Sequence, residues 1–271
     1  MAETLSTAEA KHLLHLCKTG RLFEIQDWIS AGKSLTVPAE LKTTPLEVVL
    51  NTGFHSLVEL LARHEARQDV KSRALGRAVE QKRLDFVELL VSHGAEVSAV
   101  PFVDVLQGWE PAIIRYFLDH GADCITGSPF ATAFGEKIRT ALHPWRKSKE
   151  KYPHLAPQLQ EQADRALRHF CYQGNLKWVS LLMWVGADPR SRGLTLDDYE
   201  DPNDPDDHTT AMEAAMYAEN VQVLKRLRPD PTRDDVNKLR STLRTRRSGA
   251  VPARTGCKAE RQAKRWLDGS G

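Results

Sequence analysis

The sequence is poor in the groups that catalysis and covalent stapling need. Four cysteines, Cys17, Cys124, Cys171 and Cys257, stand far apart and form no CxxC pair. That leaves no disulfide framework and no paired zinc ligands. Buried small apolar thiols are the reading for them, which suits a reducing compartment and a cytoplasmic chain. There is no charged-then-apolar leader and no run of 18 apolar residues, so neither a signal peptide nor a membrane span is expected. No Gly-rich phosphate loop, GxSxG elbow or HExxH helix occurs. Ten histidines are scattered, and none is paired with a nucleophile. Enzymatic activity, a metal and other cofactors are therefore not expected.

What the chain has instead is recurrence. The stretch CYQGNLKWVSLLMWVGADP, from Cys171 to Pro189, closes one helix at Gln173-Gly174 and opens another at Asn175. Leu176, Val179, Leu182 and Met183 recur at offsets of three and four, one face of a helix. Gly186 then stands where a positive φ caps a helix C-terminus. LDFVELLVSHGAEV and PAIIRYFLDHGADC end the same way, at Gly94-Ala95 and Gly121-Ala122. LFEIQDWISAGKSL, FHSLVELLARHEA (Glu65 in the glycine place) and NVQVLKRLRPDP are weaker copies. The turns between paired helices are read at Gly20, Gly53, Lys82, Trp109, Gly135, Gly174 and Glu219, with gaps of 33, 29, 27, 26, 39 and 45 residues. First helices open on Thr44-Pro45-Leu46-Glu47, a threonine N-cap with proline at the first position and a capping-box glutamate. Thr210-Ala211-Met212-Glu213 repeats the signal without the proline, and Ser128-Pro129-Phe130 without the glutamate.

With T-P-L, the helix–turn–helix and the Gly-Ala-Asp exit, the chain from about residue 8 to 231 resembles the ankyrin-repeat family, whose period is about 33 residues. The resemblance implies an all-α, ankyrin-type solenoid of about seven helix-turn-helix repeats with short finger loops. It implies a protein-binding scaffold that takes a partner protein on its concave face and fingers, as an inhibitor or a recruiter. A monomer is expected. Residues 1–231 form the solenoid in this reading, with an enlarged finger at 193–209. Residues 232–271 form a basic C-terminal helix and tail, expected to be partly disordered.

Charge is unevenly spread. The finger holds Asp197, Asp198, Glu200, Asp201, Asp204, Asp206 and Asp207 beside Pro202 and Pro205. Its order does not match a calcium loop, since no glycine sits centrally and no glutamate closes it; a flexible acidic loop, available as a contact for a basic partner, is the reading. From Pro229 on, eleven Lys or Arg face five acids, a net charge of +6 that leaves −4 on the rest of a chain of total +2. Arg244, Arg246 and Arg247 lead that basic end, which folds back on the finger or reaches an outside polyanion. The alternative function is therefore a nucleic-acid-associated adaptor. A second basic stretch, Arg146 to Lys151, interleaves Trp145 and Tyr152; it is read as a solvated, irregular helix end, with a nucleic-acid surface as the alternative. Pro144 is expected to interrupt the helix there. Trp184 aligns with Ser92 and Asp119 of the other copies, on the solvent side. Either the 144–157 segment covers it or it anchors a partner, as interface tryptophans do. The candidate binding residues are thus Trp145, Trp184, Asp197, Asp198, Asp201, Asp204, Arg244, Arg246 and Arg247.

Overall fold

The computed structural model describes residues 5–196, 203 and 208–228. Asp197, Asp198, Asp201 and Asp204 of the finger and Arg244, Arg246 and Arg247 of the basic end lie outside the described residues, as does the expected C-terminal helix. The chain divides into two compact units, Met1–Thr126 and Gly127–Gly271.

The first unit holds four helix pairs: α1 (Thr7–Thr19) and α2 (Leu22–Ser30), α3 (Pro45–Thr52) and α4 (His55–His64), α5 (Gln68–Glu80) and α6 (Leu84–Ser92), α7 (Phe102–Gln107) and α8 (Pro111–Asp119). Capping boxes start α1 at Ser6 with Glu9, and α3 at Thr44 with Glu47. Successive second helices pack on one another, α2 on α4, α4 on α6 and α6 on α8, while α3 packs between α1 and α5. Leu13, Ile25, Val49, Val58, Leu75, Phe86, Ile113 and Phe117 fill the core between them.

Each turn has one residue in a left-handed conformation, and at two of the four the next residue donates its N–H to the carbonyl five residues back, as in a Schellman closure. Gly20 (φ 76°) is followed by Arg21 N–H to Leu16 O, and Lys82 (φ 58°) by Arg83 N–H to Ala78 O, both 3.1 Å. Trp109 (φ 59°) and Gly53 (φ 78°) hold the other two turns. Glu65 does not replace the missing exit glycine conformation: it is extended, buried, and accepts the Arg67 N–H at 3.0 Å.

The second unit holds α9 (Pro129–Gly135), α10 (Leu142–Lys151), α11 (Ala156–Gln173), α12 (Leu176–Val185), α13 (Ala211–Tyr217) and α14 (Val221–Leu227). α9 and α13 pack on either side of α11, and α14 packs on α12. Two expectations fail in the fifth pair. Its left-handed residue is Lys137 (φ 65°), not Gly135, and Ile138 N–H closes on Ala133 O at 2.9 Å. Pro144 does not interrupt a helix either. α10 begins at Leu142, so the proline sits in the first turn, where its missing N–H has no intrahelical acceptor to serve. Between described residues the sole β pairing is the bridge Gly193–Thr209.

Candidate functional site

α11 carries a buried stripe, Leu159, Ala163, Ala166, Leu167 and Phe170, at helical spacing. Beside it three polar side chains are also buried: Gln162, Asp164 and Arg168. Gln162 accepts the Phe130 N–H of α9, while Asp164 and Arg168 meet the chain that leaves α12 through Gly186. Arg168, with no exposed surface, donates from Nε to Leu194 O (2.7 Å) and from Nη1 to Ser191 O (3.2 Å). Its Nη2 pairs with the half-exposed Glu161 carboxylate. Arg165 donates to Thr195 O. Asp164 Oδ1 accepts the Asp188 N–H at 2.6 Å and Gln160 Nε2 at 2.7 Å.

These bonds hold the base of the enlarged finger. Its two arms meet at Gly193 and Thr209, which exchange N–H···O bonds of 3.1 and 2.8 Å. Gly193 is required by space, since a Cβ there would lie 2.7 Å from Arg168 Nη2. From the outgoing arm, Arg192 Nη1 donates to both Glu213 oxygens at 3.2 Å, and Glu213 closes the capping box of α13 with Thr210. Buried carbonyls of an irregular segment need donors, and α11 supplies them from side chains. Burial pushes the Asp164 carboxyl above its ordinary value, opposed by the Asp188 N–H, Gln160, Ser191 and the Arg168 charge. The same burial lowers Arg168, opposed by Glu161 and Asp164.

The two described candidates part company. Trp145 is fully buried: its Nε1 donates to Leu159 O at 2.7 Å and its ring meets Phe134 edge-on. That corrects its reading as a binding residue, because the indole is spent on the core. The lysines around it are occupied as well. Lys149 lies over the Trp145 ring, Lys151 over Tyr152, and Arg146 and Lys147 pair with Glu150. Trp178, also in line with apolar positions, is buried and stacks on Phe170 at 5.3 Å. Trp184 is 73 % exposed on α12, so the 144–157 segment does not cover it.

Sequence reasoning missed Gln162, Asp164, Arg165 and Arg168. The one available signal was the polar run Glu161-Gln162 and Asp164-Arg165 directly flanking a strong apolar stripe before an oversized finger. His93 and His120 end α6 and α8, and the His120 ring donates from Nδ1 to Tyr116 O (2.8 Å) while stacking on the Tyr116 ring.

Paired short helices, left-handed turns and Gly-Ala exits define the all-α fold of ankyrin-repeat domains. Two solved structures have it. The ankyrin-repeat domain of human ASB11 superposes with a TM-score of 0.52 at 16 % identity, over 81 % of this chain and 98 % of that one. The ankyrin-repeat domain of Bcl-3, described as a unique member of the IkappaB protein family, gives a TM-score of 0.54 at 18 % identity, over 80 % of this chain and 97 % of that one. No family model matches the sequence, and no curated protein matches it.

Proposed function

We propose that the chain is a non-catalytic protein–protein interaction scaffold, monomeric and cytoplasmic, that takes a partner protein on its first-helix surfaces and finger loops and thereby inhibits or recruits it. The observation that carries this reading is the clamped stem of the finger. A buried arginine contributes little net stability compared with an apolar side chain of like volume. Arg168 is nonetheless placed where it fixes the backbone from Ser191 to Leu194. A loop held at its base loses less freedom on binding. Beyond that base the sequence carries seven acids between Asp197 and Asp207, chemistry suited to a basic protein surface. The ASB11 and Bcl-3 domains support the scaffold and leave the partner open, because fold alone does not name one.

The test replaces residues 197–207 by a Gly-Ser linker and compares cross-linked proteins captured by each chain from cells of the source organism, with quantitative mass spectrometry. The expected result is a partner enriched by the wild type and reduced about tenfold or more in the replaced chain at unchanged melting temperature. Equal capture by both chains moves binding off the finger. A wild-type chain that enriches no protein removes the scaffold reading.

A further inference from the structure

α12 is apolar almost all round: from Leu176 to Val185 its only charge is Lys177. Helices of that composition are ordinarily enclosed. Here only Trp178, Val179 and Leu182 are buried, while Leu181, Met183 and Val185 are half-buried and Trp184 stands out in solvent. Lys177, Leu181 and Trp184 are four and three residues apart, so they share one outward stripe. α14 packs alongside, and its Arg226 reaches the same side, Nε to Ser180 Oγ at 3.0 Å. Ser180 lies one helical turn before Trp184. Lys225 is exposed next to Arg226, and Val221 at the start of α14 is 57 % exposed. Neither α12 nor α14 contains an acid.

We propose that the outer face of α12 and α14 is a docking site for an acidic amphipathic segment of a partner protein. Apolar side chains of that segment seat on Leu181 and Trp184, and its carboxylates meet Lys177, Lys225 and Arg226. Charge complementarity selects the occupant: three exposed cations on the two helices that carry the exposed indole, with no acid on either helix, favour carboxylates over any basic partner. Arg226, already oriented by Ser180, presents the planar fork that carboxylates take two at a time. Tryptophan and arginine are also the side chains on which interface energy concentrates. The inference rests on the reading of the chain as a protein-binding scaffold and adds a second surface to it, on second helices.

The experiment titrates the full chain with a fluorescent synthetic peptide that has Leu and Phe at helical spacing and Glu on its flanks. Two controls are a peptide of permuted order and one with Lys in place of Glu. The acidic peptide is expected to bind, with both controls weaker by about tenfold or more. Trp184→Ala and the double variant Lys225→Glu, Arg226→Glu are each expected to lose about tenfold or more, as hot-spot removal does, with unchanged melting temperature. Phe23→Ala, at an aromatic 77 % exposed in the first unit, is expected to bind as wild type. Wild-type binding by Trp184→Ala, or equal binding of the permuted or lysine peptide, overturns the proposal. Binding that emerges only when residues 197–207 are replaced makes the chain's own acidic run the occupant, which also overturns it. Association with anionic phospholipid vesicles, lost in Trp184→Ala and without peptide binding, assigns the face to lipid instead. None of these failures touches finger-dependent partner capture, so the two readings fall separately.

Discussion

The two units bury different things. In the first, the buried polar or charged residues are Thr44, an N-cap, and Glu65, which holds the next backbone turn. Its ion pair of Arg83 with Asp85 at 2.6 Å is half open to solvent, whereas Arg67 pairs with the buried Glu65. In the second, Ser148, Gln162, Asp164, Arg168, Thr195 and Thr209 are buried. The cause is the repeat length. Where a unit keeps its trimmed period, helices satisfy their own backbone and the core needs only apolar side chains. Where an insertion crosses a helix, its irregular backbone brings carbonyls and N–H groups under cover, and the helix must answer each with a side chain. Gln162 does this even for α9, accepting the Phe130 N–H at 2.9 Å. Apart from the cap at Thr44 and the turn at Glu65, polar burial in this fold therefore marks an insertion.

The sharpest break of that contrast is Arg168→Met. It removes the donors used by Leu194 and Ser191 and leaves Glu161 without its buried partner. Each covered carbonyl left without its donor costs about 1–3 kcal/mol, while the half-exposed Glu161 carboxylate turns to water. Arg83→Met, at the exposed pair, is expected to cost less than about 1 kcal/mol. Urea titrations of the two variants make the comparison, and equal costs would abolish the distinction between the units. Burial pushes the thiols of Cys17 and Cys171 to about 12. Both are expected to stay silent toward a thiol reagent in the wild type at mildly alkaline pH, with Cys171 reacting first in Arg168→Met.

The turns, by contrast, are alike in both units, and the next effect tests that likeness. An L-residue in the left-handed region costs about 1–2 kcal/mol. Lys82→Gly in the first unit should recover up to about 1 kcal/mol, less the flexibility glycine adds to the unfolded chain. Gly174→Ala in the second should lose about 1–2 kcal/mol. It should exceed the bare conformational cost, because the new Cβ would lie 2.8 Å from Asn220 Oδ1. Asn220 is not free to yield, since its Nδ2 bonds the carbonyls of Cys171 and Tyr172 at 3.0 and 2.8 Å. Thermal unfolding of the pair decides it: the same sign of change in both would refute a common turn.

Those turns were legible in the sequence for a physical reason. Glycine advertises a positive φ at Gly20, Gly53 and Gly174, and the register between copies then located Lys82, Trp109 and Glu219, all left-handed. The register failed in the fifth pair because Gly135 attracted the turn, while α9 runs through it and closes two residues later at Lys137. Trp184 was placed on the solvent side by comparison with Ser92 and Asp119, a local inference that helical periodicity supports. Trp145 was not legible. Interleaved lysines suggest a surface, yet the indole finds its acceptor on Leu159, fourteen residues away, and a lysine covers the ring. Arg168 and Asp164 were hidden for a related reason. Periodicity puts them off the apolar stripe, and the chain that buries them comes from beyond α12.

The smallest effect separates the units by its sign. Burial holds the Asp164 carboxyl above the ordinary 3.8, so the folded chain binds that proton more tightly than the unfolded chain does. Stability rises with falling pH wherever the folded state holds more protons. Asp164 therefore adds stability as pH drops through its raised folded value, and the gain is complete below 3.8. Asp85 in the first unit does the reverse: its hydrogen bond to Arg83 holds it below the ordinary 3.8, so its contribution is present above that value and is lost as pH falls through the folded one. Asp164→Asn keeps an oxygen for the Asp188 N–H while removing the titration, and Asp85→Asn removes the other. Urea unfolding of both variants and the wild type, from neutral pH to below 3.8, gives the two differences. Wild type minus Asp164→Asn is expected to climb on acidification, and wild type minus Asp85→Asn to fall. If both fall, Arg168 keeps Asp164 charged throughout, and the finger stem is held by a permanent ion pair that its buried surroundings do not neutralise.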